Sequence, residues 1–208
     1  MTSAGTRTRA TSAALRFRVI EAALACFAEH GYGAVSVETI RNAAGVSVGS
    51  LYHHFDSKAS LAAAVYAEAI RRYHGALLEV LSRNPDAEDG VRSLIEAHHR
   101  WVSANPDWAG FMISAGDLAE IKAEAADHAV ANDQLITALI EWAQPLMVDG
   151  RLGSFSPLVF ASVLFGPSYF HTRVTLSRPA DPPSSAVAAD FATAAWRTTC
   201  GSTTRTAL

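Results

Sequence analysis

The run Gly45-Val46-Ser47-Val48-Gly49 spells G-x-S-x-G, the frame in which many hydrolases hold a nucleophilic serine. That frame works when a strand delivers the serine to a sharp turn. Here the residues before it have helical periodicity, which excludes Ser47 as a nucleophile. Two imidazoles stand side by side at His98-His99, but no histidine pair lies at metal-ligand spacing with a carboxylate close by, and His74 and His128 stand alone. Cys26 and Cys200 are far apart and match no metal or redox motif. Cys26, between Leu24 and Phe27, reads as a small buried hydrophobe. Gly31-x-Gly33 falls short of a phosphate loop, and no paired-carboxylate signature is present. These residue types point away from catalysis. No catalytic residue, metal or cofactor is expected.

A different chemistry is spelled by Ser36 to Lys58, SVETIRNAAGVSVGSLYHHFDSK. Ser36 lies three residues before Thr39 and is a good N-cap for a short helix through Ala44. Val37, Ile40 and Ala44 form its inner face, Gly45 supplies a tight turn, and Val46 plugs the angle between helices. Ser47 then caps a second short helix running to about His54, which Leu51 and Phe55 anchor to the core. Ser47, Val48, Gly49 and Ser50 are left at the exposed N-terminal edge of that helix. Their small side chains let a backbone come close to a base-pair floor, as a helix entering a major groove requires.

This segment resembles the DNA-binding head of the TetR family of regulators. The likeness covers about residues 12–65. It combines the helix from Phe17 to His30, the run GYGAVSVETIRNAAGVSVGSLYHHFDSK, the aromatic pair Tyr52 and Phe55, and Lys58 opening the next helix. It implies that Ser36 touches a phosphate and that Arg41 reaches a base edge or the backbone. By the same resemblance Ser47, Val48, Gly49 and Ser50 face the groove floor, Tyr52 and His53 meet phosphates, and Lys58 places its ammonium and its helix N-terminus on another. Arg7 and Arg9 would reach a neighbouring minor groove. It further implies a repressor acting on double-stranded operator DNA and released by a small-molecule effector. The alternative is an all-helical enzyme or ligand-binding protein that uses the motif as scaffold only.

The elements that must position these residues are all helical. Phe17, Ile20, Leu24 and Phe27 recur at three- and four-residue steps over 12–30, and Gly31 closes that helix. Asp56 or Ser57 caps a long helix from Lys58 into the low 80s, stopped by Asn84-Pro85. Further helices are expected at roughly 87–104, 107–115, 118–148, 156–177 and 184–200, with no strand. The fold class is therefore all-α, with about nine helices: a three-helix head followed by a ligand-binding and dimerisation body. The expected division is a flexible arm at 1–11, the head at 12–57, the body at 58–201 and a tail at 202–208.

Half of the 208 residues are hydrophobic and the net charge is −3. Residues 1–60 carry six basic and four acidic side chains, so a mildly basic head sits on an acidic body. Residues 1–18 hold no apolar leader, and the apolar stretch 157–170 is shorter than the roughly 20 residues that span a bilayer. A soluble, cytoplasmic protein without a membrane partner is expected. One head reads too few base pairs for useful specificity, so a homodimer on a pseudo-palindromic site follows. Its interface is expected on 156–177 and 184–200, through Leu158, Phe160, Val163, Leu164, Tyr169, Val174, Val187, Phe191 and Trp196. An apolar or aromatic effector is expected among Trp101, Trp108, Phe111, Met112, Trp142, Phe165 and Tyr169, with His98 as a polar fixer and His99 or Ser114 as others.

Overall fold

The computed structural model describes residues 3–116, 118–124, 126–176 and 185–201. Among them the chain forms ten helices: α1 (Ser3–His30), α2 (Val37–Ala44), α3 (Val48–Tyr52), α4 (Lys58–Ser82), α5 (Ala87–Ala104), α6 (Pro106–Ala115), α7 (Ala119–Glu124), α8 (Ala126–Val148), α9 (Pro157–Leu176) and α10 (Ser185–Thr199). The all-helical reading holds. The count differs because the stretch expected as one helix over 118–148 is two, α7 and α8, on either side of position 125, which lies outside the described residues. The tail 202–208 and most of the Pro-rich run before α10 also lie outside them.

Residues 3–11, expected as a flexible arm, are the first turns of α1. No proline precedes Pro85, and Ala4, Arg7, Arg9 and Ala10 are good helix formers, so a helix nucleated downstream extends backward at low cost. The side chains of Arg7 and Arg9, and with them the minor-groove role, lie outside the described set.

Packing groups the chain into two compact units, Met1–Ala69 with Asp107–His128, and Ile70–Pro106 with Ala129–Leu208. In the first, Val19, Ile20, Ala23, Leu24 and Phe27 line the buried side of α1, and Ile40, Ala44, Val46, Leu51 and Phe55 are buried with them. Phe17, read as part of that face, is 38% exposed, and Val19 takes the inner position. Phe111 of α6 stacks on Phe27, with ring centroids 5.2 Å apart and planes 11° from parallel.

In the second unit α5 packs against α9 and α10. Its core joins Leu94 and Ile95 to Leu139, Trp142, Leu146, Phe160, Leu164 and Ala192. Phe160 and Leu164 are thus monomer core rather than part of a dimer face. The loop after α8 is stitched to the end of α10: Leu152 bridges Cys200, Gly153 N–H donates to the Thr199 carbonyl at 2.8 Å, and Gly201 N–H donates to the Arg151 carbonyl at 3.1 Å.

Candidate DNA-binding site

The geometry of the head begins with two serine caps. Ser36 Oγ accepts the Thr39 N–H at 3.0 Å and Ser47 Oγ accepts the Ser50 N–H at 3.1 Å, so each ties down an otherwise unpaired donor at a helix start. Between them Gly45 sits in the left-handed region at φ 63°, and its N–H and that of Val46 close on the carbonyls of Asn42 and Arg41. A side chain is disfavoured at that backbone angle, which is why glycine makes the turn. Val46 and Leu51 are buried on either side of it.

This arrangement turns a small, open edge outward. Ser47 and Gly49 are exposed, Val48 is 52% exposed, and Ser50 is half-buried. A Cβ built on Gly49 would meet nothing within 4 Å. Tyr52, one turn on, is 51% exposed, and His53 is exposed beside it. Neighbouring His54 is half-buried, and its imidazole is held below the usual histidine range by burial and by nearby His53 and Arg16. Lys58 opens α4 with its ammonium 3.4 Å from the Gly33 carbonyl and 4.4 Å from the centre of the Tyr32 ring. Those contacts fix the side chain at the start of the helix, where Ser57 and Ser60 cap one another's backbone N–H groups at 3.0 Å.

Residues 19–65 match the profile of the bacterial regulatory proteins of the tetR family. The head of the chain is thus similar to that of the tetR family. Curated relatives of this tetR-type head include the transcriptional repressor KstR2 of Rhodococcus jostii, 31% identical over 90 residues, 43% of this chain and 44% of the relative. The repressor AcnR of Corynebacterium glutamicum is 37% identical over 90 residues, 42% of this chain and 45% of the relative. The chain thus spans less than half the length of these two relatives. The whole fold is similar to that of a tetR-family regulator structure from Shewanella, with a TM-score of 0.73 and 21% identity over 89% of this chain and 98% of the other.

Arg41, expected on a base edge or the DNA backbone, is hydrogen-bonded here to its own chain. Its Nε and Nη2 donate to the two carboxylate oxygens of Glu38 at 2.9 and 2.7 Å, Nη1 donates to the Val46 carbonyl at 3.0 Å, and Nη2 also meets Asn42. The guanidinium thus bonds to acceptors of its own motif while staying partly exposed. Sequence reasoning missed the partner, although opposite charges three residues apart on one helix are a local signal. It also missed Tyr32, whose hydroxyl is pushed up to about 12 by burial and by donating to Glu120.

The residues expected around an effector fall in both units. In the first, Trp108, Phe111 and Met112 are buried, with Phe111 on Phe27, while Ser114 is exposed. In the second, Trp101 is buried against Tyr73, at 5.2 Å between rings. Trp142 is a wedge: its indole N–H donates to the Pro85 carbonyl at 2.9 Å and its ring lies over Gly90. Phe165 is half-buried and Tyr169 is exposed. His98 is held at both ring nitrogens, by Tyr73 Oη at 2.8 Å and Thr172 Oγ1 at 2.9 Å. Burial first, then His99 and His171, drives its imidazole down to about 4 against an opposing hydrogen bond to Ser168. Next to it, His99 bonds Ser168 Oγ at 3.3 Å, and its Nδ1, like Nε2 of His171, is buried with no hydrogen-bond partner among the described residues. This polar nest of α4, α5 and α9 was legible only at His98 and His99, because Tyr73, Ser168, His171 and Thr172 are distant in sequence.

Proposed function

We propose that the protein is a transcriptional repressor that binds a pseudo-palindromic duplex as a homodimer and leaves it when a small, mainly apolar or aromatic effector binds. One observation carries the reading: a glycine-turned, doubly capped helix pair presents Ser47, Val48, Gly49 and Ser50 outward with no Cβ obstruction at Gly49. Such an edge admits close approach to a groove floor. Ser36, Tyr52, His53 and Lys58 flank it with hydroxyl, imidazole and ammonium groups suited to phosphates. The repressor names of the relatives that match the head support the same reading.

The second copy would meet this one on α9, where Leu158, Val159, Tyr169 and Phe170 are exposed large hydrophobics. Effector binding is proposed for Trp108, Phe111 and Met112 in the first unit and for His98, Trp101, Phe165 and Tyr169 in the second. Trp142 is the weakest member of the set, since its indole is already spent on Pro85 and Gly90. No helix among the described residues is long and apolar enough to cross a membrane, and a repressor works where the chromosome is, in the cytoplasm. The test is selection of bound sequences from a random duplex library with purified protein. An enriched inverted repeat is expected; recovery of unenriched sequence would remove the reading.

A further inference from the structure

Arg41 is a cation within the motif that meets DNA, yet four hydrogen bonds tie its partly exposed guanidinium to acceptors of its own chain. Glu38 supplies two of the acceptors in a fork-to-fork pairing. A carboxylate and a phosphate both accept a guanidinium in this bidentate way, so Glu38 occupies the seat that a DNA phosphate would otherwise fill. Asn42 closes the arrangement, its amide reaching Glu38 Oε1 at 3.4 Å. The remaining bond, to the carbonyl of Val46, grips the residue immediately before the Ser47 cap. Held by Arg41, the Glu38 carboxyl lies below the usual carboxylate range, so it stays ionised at neutral pH.

We propose that Glu38 is a positioning and specificity-determining residue that keeps Arg41 off the phosphates and turns it into a clamp on the entrance to α3. This inference rests on the DNA-binding reading above. Its physical logic is a difference of affinities. A guanidinium on a phosphate strengthens binding to every sequence alike, whereas contacts from Ser47 to Ser50 distinguish sequences. Withholding Arg41 from the backbone lowers the common term and leaves discrimination to the small-residue edge. The Val46 clamp acts in the same direction by fixing how that edge is presented.

The experiment is a salt titration of binding to a random duplex and to a duplex selected by the wild-type protein, with wild type, Arg41→Ala, Glu38→Ala and the double variant. Each new phosphate contact steepens the dependence of log affinity on log salt by about 0.9. Arg41→Ala should change the random-duplex slope little in the wild-type background. In the Glu38→Ala background, where the guanidinium is free, the same substitution should remove about one unit of slope per head. Glu38→Ala alone should tighten random-duplex binding several-fold and reduce the ratio of selected to random affinity. Glu38→Gln, which keeps the size and one acceptor, should move the same way and serves if Glu38→Ala does not fold. Equal slope losses from Arg41→Ala in both backgrounds would overturn the positioning role while leaving DNA binding in place. So would Glu38 variants that lower the unfolding temperature and weaken both duplexes in proportion. If wild type shows no salt-dependent binding to either duplex, the DNA-binding reading fails, and the role of Glu38 with it.

Discussion

At Gly90 an ideal Cβ would stand 2.1 Å from the Trp142 ring. Because both residues are buried and the indole is tied to Pro85, Gly90→Ala must push the ring out of its seat. The expected loss is about 1–3 kcal/mol in denaturant unfolding; an unchanged midpoint would mean that the indole slides freely. The glycines of the head divide by backbone angle. Gly45→Ala meets open space but a left-handed φ, so it should cost about 1 kcal/mol through strain alone. Gly49→Glu meets open space at ordinary φ and should leave the unfolding temperature near wild type. Its carboxylate would nevertheless face the phosphate field and abolish duplex binding in a gel-shift titration. A sharp fall in stability instead would make Gly49 structural. The turn at Gly45 was readable because its determinants are neighbours in sequence. The seat of Trp142 was not, since Gly90 lies on another helix, and the tie between Arg41 and Glu38 was overlooked because exposure was weighed without the carboxylate one turn earlier.

Helices were legible where caps and breakers mark them. Ser36 and Ser47 start α2 and α3, and Gly45 stops α2, whereas the Asp86 cap on α5, which accepts the Asp89 N–H, was not read. The outward direction of a helix was harder to read. α9 is apolar on nearly every side, so its periodicity does not separate core from surface. Packing decides: Phe160 and Leu164 turn inward, whereas Leu158 and Phe170 are 77% and 68% exposed. If α9 meets a second copy, Leu158→Ser with Phe170→Ser should convert a dimer to a monomer in light scattering, with helical circular dichroism retained. A dimer that survives both changes would place the interface on another element.

Across the molecule, stability should depend on pH through the buried imidazoles. His98 and His99 are both held below the ordinary histidine range, chiefly by burial. The folded state therefore binds protons less readily than the unfolded chain. The resulting stability is complete above about pH 6.5 and is lost as pH falls through that value toward 4. For His98 the loss approaches roughly 3 kcal/mol across that window. His98→Gln should be less stable than wild type at pH 7.5 and should show a shallower decline between pH 6.5 and 4 in thermal unfolding. Parallel curves for the two proteins would rule out His98 as the titrating group. All-α architecture was readable from composition and periodicity, whereas this polar nest depended on tertiary neighbours that no local pattern announces.

The stitch between the loop after α8 and the end of α10 has a consequence for solvent isotope exchange. Helix ends and loops ordinarily open by local fraying and exchange their amide hydrogens early. Gly153 and Gly201 lie in such places, yet their amides are pinned to Thr199 and Arg151, and a Cβ at Gly201 would fall 1.8 Å from the Gly150 carbonyl oxygen. Releasing either hydrogen requires the loop and the helix end to part together. The amides of Gly153 and Gly201 should therefore exchange with deuterium at matched, slow rates, marking the C-terminal end of α10 as a fastened edge rather than a fraying one.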